Sequence, residues 1–266
     1  MDKSPYLEAE ISLSGQIALV TAGASGLGRG IAYELAKCGA TVWVWDRDEK
    51  ALLDCKQDFS AHGLSIHTAS FNLVSANEMS SAFAELIARS GRLDILVNNA
   101  GGSLHTPFRF LEETDDDWAR VFELNLMATV RLTRLVLPIM TGNRYGRVVN
   151  LGSKAGRYGS LFAGANYASV KGAIHALTLQ LAQEFGPHGV TVNAICPGAI
   201  MTPRVKGLLE ERQSLEERTR VLNGIPVRRH GEVSDVARTV RFLVSKEAGF
   251  ITGSLIDING GQAMST

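Results

Sequence analysis

Short apolar runs rich in β-branched residues alternate with longer amphipathic stretches along this 266-residue chain. A strand that is buried on both faces of a parallel sheet shows such a continuous apolar run. The helical patterns between the runs predict right-handed crossovers, and therefore an α/β fold in which helices cover both faces of a doubly wound, seven-stranded parallel sheet. The predicted strands are residues 17–21, 41–45, 65–69, 95–97, 147–151, 190–194 and 254–258.

The chain shows no sign of a second core. No internal repeat, low-complexity segment or Pro/Gly/Ser-rich linker divides it, so a single domain over residues 1–266 is the simpler prediction. One segment differs from the rest, because residues 203–224 combine many Arg and Glu residues with scattered leucines. That composition predicts a helical flap that closes over the substrate.

The charge balance argues against two classes of partner. The 27 basic and 27 acidic residues cancel, so no overall field favours nucleic acid or an anionic membrane surface. Residues 1–14 lack an apolar stretch of signal length, and nowhere is an apolar run long enough to span a membrane, so we expect a cytoplasmic protein. Cys38, Cys55 and Cys196 have no C-x-x-C spacing, which predicts reduced thiols and no metal site.

A glycine-rich turn connects the first predicted strand to the first helix. Residues 21–28 read Thr-Ala-Gly-Ala-Ser-Gly-Leu-Gly, and glycines in this position let the backbone approach a pyrophosphate at a helix N-terminus. The spacing is not G-x-G-x-x-G, and ordinary turns also use glycine freely. The turn alone therefore leaves both interpretations open.

An acidic residue at the end of the second strand supports dinucleotide binding. Asp46 follows Gly28 by 18 residues, close to the interval at which a carboxylate meets the adenosine ribose hydroxyls. Asp46 favours NAD, because its carboxylate would repel the 2′-phosphate of NADP and Ser25 supplies no compensating cation. The adjacent Arg47 weakens this preference slightly.

Three polar residues form a candidate catalytic group. Tyr167 and Lys171 are four residues apart on a predicted helix, so they share one face, where an ammonium can stabilise a phenolate. Ser153 ends the fifth strand, and open α/β sheets bind ligands at the carboxyl ends of their strands. Tyr-x-x-x-Lys alone is equally typical of a solvated helix face, so the interpretation depends on the motifs around it.

Those motifs are Asn-Asn-Ala-Gly at residues 98–101 and Pro-Gly-x-x-x-Thr at residues 197–202. With the glycine turn and Tyr-x-x-x-Lys, they resemble the short-chain dehydrogenase/reductase family over roughly residues 13–264. The resemblance implies a Rossmann-type fold, an enzyme that moves hydride between a nicotinamide ring and an alcohol or carbonyl carbon, and a homotetramer or homodimer formed through residues 114–140, residues 167–185 and the last strand. It also implies a catalytic tetrad: Asn125, Ser153, Tyr167 and Lys171.

The resemblance gives each member of the tetrad a role. Tyr167 is expected to act as general acid or base. Lys171 is expected to lower the pKa of Tyr167 and to bind the nicotinamide ribose, and Ser153 to position the reacting oxygen. Asn125 is expected to hold a water that links Lys171 to solvent; the alternative is an amide that satisfies neighbouring backbone groups.

The resemblance also implies a cofactor site, although this sequence departs from the family's pattern at several positions. Ala22 replaces the first glycine of the family's turn, which allows a shifted turn geometry, and Asn72 stands where an aspartate is usual. Ser153 and Tyr167 are fourteen residues apart where many members have thirteen, so residues 159–166 should reshape the substrate wall. The expected NAD-binding residues are Gly23, Ser25, Gly26, Leu27, Gly28, Asp46, Arg47, Asn72, Leu73, Asn99, Ala100, Gly101, Tyr167, Lys171, Pro197, Gly198, Ile200 and Thr202.

The sequence says less about the substrate. Residues 102–105, 154–158 and 201–205 should line the pocket, and their hydrogen-bonding side chains favour an acidic or polyol substrate, although each could equally be solvated surface. We therefore expect NAD(H)-dependent interconversion of a secondary alcohol (a polyol, cyclic diol or hydroxy acid) and its ketone. A 3-oxoacyl thioester (acyl carrier protein) reductase and a dinucleotide-binding relative without turnover are alternatives. The candidate substrate residues are Ser153, Lys154, Arg157, Phe162, His105 and Met201.

Overall fold

The computed structural model describes residues 11–160, 163–212 and 214–264. In these residues all seven predicted runs are strands, and they pair in parallel in the order β3-β2-β1-β4-β5-β6-β7. The predicted doubly wound sheet is thus confirmed. The strands are β1 (Ile17–Thr21), β2 (Thr41–Asp46), β3 (Ile66–Ser70), β4 (Ile95–Asn98), β5 (Gly146–Leu151), β6 (Val190–Pro197) and β7 (Leu255–Ile258).

Helices connect the strands and cover both faces of the sheet. No helix of the described residues is long and apolar enough to cross a membrane. The helices are α1 (Gly26–Lys37), α2 (Glu49–Ala61), α3 (Ala76–Ser90), α4 (Asp115–Phe122), α5 (Ala128–Gly142), α6 (Ala155–Tyr158), α7 (Ala165–Phe185), α8 (Pro203–Arg212), α9 (Leu215–Asn223) and α10 (Val233–Val244).

The alternation of side chains along β2 shows how the core is divided. Val42 and Val44 point to the face that α1, α2 and α10 cover, whereas Trp43 and Trp45 point to the opposite face, which α3, α5 and α7 cover. All four side chains are at most 1% exposed, because both faces of a strand inside an α/β sheet are covered. Burial of each large side chain contributes roughly 1.5–3 kcal/mol to folding.

The order of the strands determines where a ligand can bind. The chain starts at the central β1, winds outward to β3, and returns to β4 on the other side of β1 before it winds outward to β7. The loops after β1 and β4 therefore leave the sheet in opposite directions, which opens a crevice at the carboxyl ends of the strands. The glycine turn follows β1, the 98–101 motif follows β4, and Ser153 follows β5.

The predicted flap is helical. Residues 203–224 contain α8 and α9. The Thr202 hydroxyl accepts a hydrogen bond from the backbone N–H of Val205 in the first turn of α8. Ser214 and Glu217 form a capping box at the start of α9, a pattern that satisfies two backbone donors reciprocally.

Candidate active site

Ala22 adopts a strained backbone within the glycine turn. It takes a left-handed conformation with φ +48°, and Gly26 takes φ +53°. Ala22 thus adopts the conformation for which glycine is normally used, and a shift of the turn relative to the family stays a prediction. A left-handed non-glycine residue costs of order 1–3 kcal/mol, and such strain persists only where the surroundings hold it.

Asn99 is the residue that holds this turn in place. Its Nδ2 donates to the carbonyls of Thr21 and Ala22, at 2.9 and 3.0 Å. The Thr21 hydroxyl in turn accepts from the backbone N–H groups of Asn99 and Ala100, both at 3.0 Å. A Cβ on Gly28 would lie 2.4 Å from the Ala22 oxygen and 2.5 Å from Asn99 Nδ2. The turn and the 98–101 motif therefore form one rigid unit at the start of α1.

Asp46 lies directly beside the glycine turn. Its Oδ2 accepts from the backbone N–H of Ala24 at 3.1 Å, and its Oδ1 accepts from that of Asp48 at 3.2 Å. These bonds fix a carboxylate at the carboxyl end of β2, where a dinucleotide's adenosine ribose lies in this type of fold. The neighbouring Arg47 is exposed.

The remaining cofactor candidates lie on both sides of the crevice. Asn72 is exposed after β3, and its Oδ1 accepts from the backbone N–H of Val74 at 3.3 Å; Leu73 beside it is buried. Ile200 is buried on the other side, and a Cβ on Gly26 would lie 3.7 Å from Thr202 Cγ2. The glycine turn and the 197–202 segment thus face each other across the start of α1.

The three candidate catalytic side chains meet at the start of α7. Ser153 lies beside the Tyr167 phenol, and its side chain acts to lower the pKa of that phenol. Lys171 is 3% exposed, its Nζ donates to the Leu151 carbonyl at 2.7 Å, and that Nζ lies 5.6 Å from the centre of the Tyr167 ring. The sequence-predicted group is therefore assembled at the carboxyl end of β5.

Burial shifts the pKa values of this group. It raises the pKa of the Tyr167 phenol, and the hydrogen bond from Ser153 and the charge of Arg204 only partly oppose it. Burial, assisted by the Arg204 charge, lowers the pKa of Lys171 from 10.5 to about 8. Desolvation penalises the charged forms of both groups, so burial dominates both shifts; the lowering of the Tyr167 pKa by Lys171 stays a prediction.

Asn125 organises the loop after β4. It lies in a π-type turn, Glu123–Met127, between α4 and α5, and such turns are frequent at functional sites. Its Oδ1 accepts from the Gly102 N–H at 2.9 Å, and its Nδ2 donates to the carbonyls of Gly102 and Val121 at 3.0 and 2.8 Å. The Asn125 amide thus satisfies neighbouring backbone groups, which is the second of the two roles considered for it.

His175, one turn after Lys171 on α7, belongs to the same site but was not predicted. Its Nε2 lies 3.4 Å from the Ser153 backbone nitrogen and 3.3 Å from Cys196 Sγ. Burial lowers the pKa of His175 to about 4, so the ring is neutral near pH 7 and can accept the Ser153 N–H. The i, i+4 spacing after Lys171 was the available signal, since it places His175 on the same helix face.

The candidate substrate residues differ in their surroundings. Arg157 is paired with Asp257, with Nη1 to Oδ2 at 2.8 Å, and it also donates to the Leu255 carbonyl. That pairing opposes the predicted substrate role of Arg157, because β7 already binds its charge. His105 and Met201 are exposed and Lys154 is half-buried, which lowers the Lys154 pKa. Phe162 lies outside the described residues.

Arg204 reaches the site from the flap. Its Nη1 donates to the Gly101 carbonyl at 3.2 Å, and the guanidinium lies over Gly102. A Cβ on Gly102 would be 2.1 Å from Nη2. The sequence placed residue 204 in a pocket-lining segment, but its charge was not singled out, although it is the first charged residue after the 197–202 motif.

Comparison with known proteins identifies the family. The short chain dehydrogenase family matches residues 16–213. The chain belongs to the short-chain dehydrogenase/reductase family. It is 37% identical over 255 residues to 2,3-dihydroxy-2,3-dihydro-p-cumate dehydrogenase of Pseudomonas putida, covering 96% of both chains. It is also 37% identical to 3-oxoacyl-[acyl-carrier-protein] reductase of Aquifex aeolicus, covering 95% of this chain and 99% of that protein.

Solved structures agree with this assignment. A short-chain type dehydrogenase/reductase from Mycobacterium ulcerans superposes with a TM-score of 0.88 at 31% identity, covering 95% of this chain and 91% of that one. The protein is therefore an oxidoreductase that acts on CH–OH donors. As a short-chain dehydrogenase/reductase it is expected to use a nicotinamide dinucleotide, and its residues fit that group: the N-terminus of α1 has neither a side-chain cap nor an acidic residue in its first turn, which suits a pyrophosphate.

Proposed function

We propose that this enzyme interconverts a secondary alcohol (a polyol, a cyclic diol or a hydroxy acid) and its ketone with NAD(H). The observation that carries the proposal is the position of the buried Lys171, whose Nζ lies 5.6 Å from the centre of the Tyr167 ring and donates to the Leu151 carbonyl at the carboxyl end of β5, two residues before Ser153. The likeness to a dehydrogenase of a cyclic dihydrodiol supports a secondary alcohol as the reacting group.

A bound nicotinamide dinucleotide supplies the hydride acceptor for oxidation and the donor for reduction. In oxidation Tyr167 takes the hydroxyl proton of the substrate, and in reduction it returns a proton to the carbonyl oxygen. Ser153 orients that oxygen through its hydroxyl. Lys171 places a cation beside the phenol, and Asn125 holds the loop that contains Gly101 and Gly102.

Asp46 supports the preference for NAD. Its carboxylate is fixed by two backbone N–H groups beside the glycine turn, so it cannot easily turn away from a ribose phosphate. A 2′-phosphate there would meet like charge, and Ser25 offers no cation. Because NAD pools are mostly oxidised, we expect alcohol oxidation to be the favoured direction.

A 3-oxoacyl thioester reductase is the second candidate, and similarity at 37% identity to an enzyme of that name favours it as strongly as the diol dehydrogenase is favoured. The two candidates share the Ser153, Tyr167 and Lys171 group. They differ in substrate and, as the family resemblance implies, in cofactor, since 3-oxoacyl thioester reductases usually prefer the phosphorylated dinucleotide.

We also propose that residues 1–266 form one domain and that α8 and α9 close over the substrate as a flap. Arg204 supports closure, because its contact with Gly101 already links α8 to the loop after β4. A homodimer or homotetramer would cover the groove between α5 and α7, whose lining includes the partly buried Leu177 and Leu181 as well as Arg134 and Glu184.

The test is a substrate panel with two cofactors. Sugar alcohols, cyclic diols, hydroxy acids and hydroxyacyl thioesters are each offered with NAD and with NADP, and kcat/KM is measured in both directions. The proposal expects turnover of a small alcohol with NAD at least tenfold better than with NADP, and an Asp46→Ser variant that narrows this ratio. Turnover confined to acyl thioesters with the phosphorylated cofactor would establish the second candidate instead.

A further inference from the structure

Arg204 extends from the first turn of α8 over the loop that Asn125 holds. Its Nη1 donates to the Gly101 carbonyl at 3.2 Å, and the guanidinium takes the space that a side chain at residue 102 would occupy. Arginine carries five donors in a planar fork, so this one contact leaves most of them available. The residue is exposed at the mouth of the active site.

The charge of Arg204 acts on the reacting groups. It lowers the pKa of both Tyr167 and Lys171. In the described part of the chain, no ion pair involves Arg204. Arg204 thus adds an exposed positive charge at the mouth of the site, above the buried Lys171, and no acidic side chain of the described residues pairs with it.

Arg204 also gives nothing to the stability of its own helix. The first turn of α8 contains no acidic residue, and a cation at a helix N-terminus is unfavourable by a few tenths of a kcal/mol, because it meets the positive end of the helix dipole. The charge of Arg204 therefore has no capping role on α8, and its contact with the Gly101 carbonyl uses one N–H donor of the guanidinium. The remaining donors suit an anionic ligand.

We propose that Arg204 binds a carboxylate of the substrate, which makes it a specificity-determining residue for hydroxy acids. This inference rests on the proposed function. The carbinol carbon gives its hydride to the nicotinamide and its hydroxyl proton to Tyr167, while the carboxylate stays unchanged in the guanidinium fork. Guanidinium and carboxylate match in geometry and charge and form the stronger class of hydrogen bond.

The cofactor pyrophosphate is the other anion that could meet Arg204. A pyrophosphate is expected at the N-terminus of α1, beside Ser25 and Gly26. The field of Arg204 instead reaches Tyr167 and Lys171, the groups at the reacting carbon. The substrate is therefore the anion that the geometry favours, and the experiment separates the two sources.

Lys206 provides a matched control on the same helix. It is exposed and lies two residues after Arg204, about 200° around the helix axis. Lys206→Gln removes the same charge from α8 without touching the Gly101–Gly102 loop. A loss that is caused only by the lower net charge of α8 would appear in both variants.

The first readout is kinetic. Two pairs of substrates are compared, each with an acidic and a neutral member. The first pair is 3-hydroxybutyrate and its methyl ester, and the second is gluconate and sorbitol. In Arg204→Gln we expect KM for the accepted acid to rise at least about tenfold, which corresponds to ~1.4 kcal/mol, with kcat changed less than about threefold and the neutral partner unaffected. A wild-type enzyme that turns over sorbitol or the ester as efficiently as the acid would overturn the proposal while leaving the proposed function intact.

The second readout needs no turnover, so it separates a failure of this inference from a failure of the proposed function. Malonate and malonamide are titrated into the enzyme with NADH, and the fluorescence of bound NADH is followed. We expect malonate to bind the wild type and Lys206→Gln, and at least tenfold more weakly to Arg204→Gln, with NADH affinity unchanged. The proposal would be overturned if Arg204→Gln bound malonate as tightly as the wild type, or if the wild type did not bind malonate. A tenfold loss of NADH affinity in Arg204→Gln would also overturn it and would show that Arg204 binds the cofactor pyrophosphate instead.

Discussion

Lys171 Nζ donates to the carbonyl of Leu151 at 2.7 Å while it lies over the ring of Tyr167. The ammonium is thus held by strand β5 on one side and by the phenol on the other, in a place where water is largely excluded. The catalytic cation is bound at a cost to folding, since a buried ammonium is disfavoured relative to water. This cost can be measured.

Lys171→Met should stabilise the protein and abolish turnover. The shift of the Lys171 pKa from 10.5 to about 8 corresponds to a destabilisation of the folded state by about 3 kcal/mol. Lys171→Met removes this destabilisation but also removes the hydrogen bond to Leu151, which stabilises the fold by about 1 kcal/mol. Because the folded-state pKa is lowered, the penalty is complete below pH 8 and disappears as the pH rises above 10.5. Urea unfolding at pH 7 should therefore show a gain of about 2 kcal/mol that shrinks towards pH 10.5.

The control for this prediction is Lys206→Met on the exposed side of α8, which should change the free energy of unfolding by less than about 0.5 kcal/mol. A Lys171→Met enzyme that is less stable than the wild type at pH 7 would show that the ammonium supports the fold instead of straining it.

The pH dependence of catalysis should follow Tyr167. Burial raises the pKa of its phenol, so alcohol oxidation, which needs the phenolate, should become faster as the pH rises from 6 to 7.5, below the pKa of about 8 at which Lys171 loses its charge. Ketone reduction, which needs the neutral phenol, should change little between pH 6 and 7.5. His175 has a pKa of about 4, so neither profile should show an inflection near 6.5; an inflection there would mean that His175 titrates during turnover.

Ala22→Gly should stabilise the enzyme. Glycine removes the left-handed strain at residue 22, which costs of order 1–3 kcal/mol for an alanine. Glycine also makes the unfolded chain more flexible, which destabilises the folded state by about 0.4–1 kcal/mol. We expect a net gain of about 1 kcal/mol in urea unfolding. Ala24→Gly is the matched variant, since Ala24 is buried and lacks a positive φ; it should lose stability, and a similar loss in Ala22→Gly would contradict the strain.

The sheet could be predicted because local pattern determines it, whereas the catalytic group was identified through the resemblance to a family. Strands buried on both faces show continuous apolar runs, and the carboxyl end of β5 must lie beside the start of α7 once the crossover is right-handed. Ser153 and Tyr167 therefore lie close together because Ser153 follows β5 and Tyr167 lies in the first turn of α7.

The contacts that escaped prediction join distant parts of the chain. Arg157 pairs with Asp257, 100 residues later, and Arg204 reaches back to Gly101. Neither partner can be chosen from spacing, because the orientation of β7 and α8 relative to the site depends on tertiary packing. The left-handed backbone of Ala22 likewise depends on the two hydrogen bonds from Asn99 that hold the turn.

The central claim is that Tyr167 transfers the proton that accompanies hydride transfer. The most direct measurement is NADH formation at 340 nm by wild type and Tyr167→Phe on the best alcohol of the panel, with NADH affinity measured on both proteins. We predict a loss of kcat of about 10²–10⁴-fold with unchanged NADH affinity. A Tyr167→Phe enzyme that keeps more than about a tenth of the wild-type kcat would contradict the account.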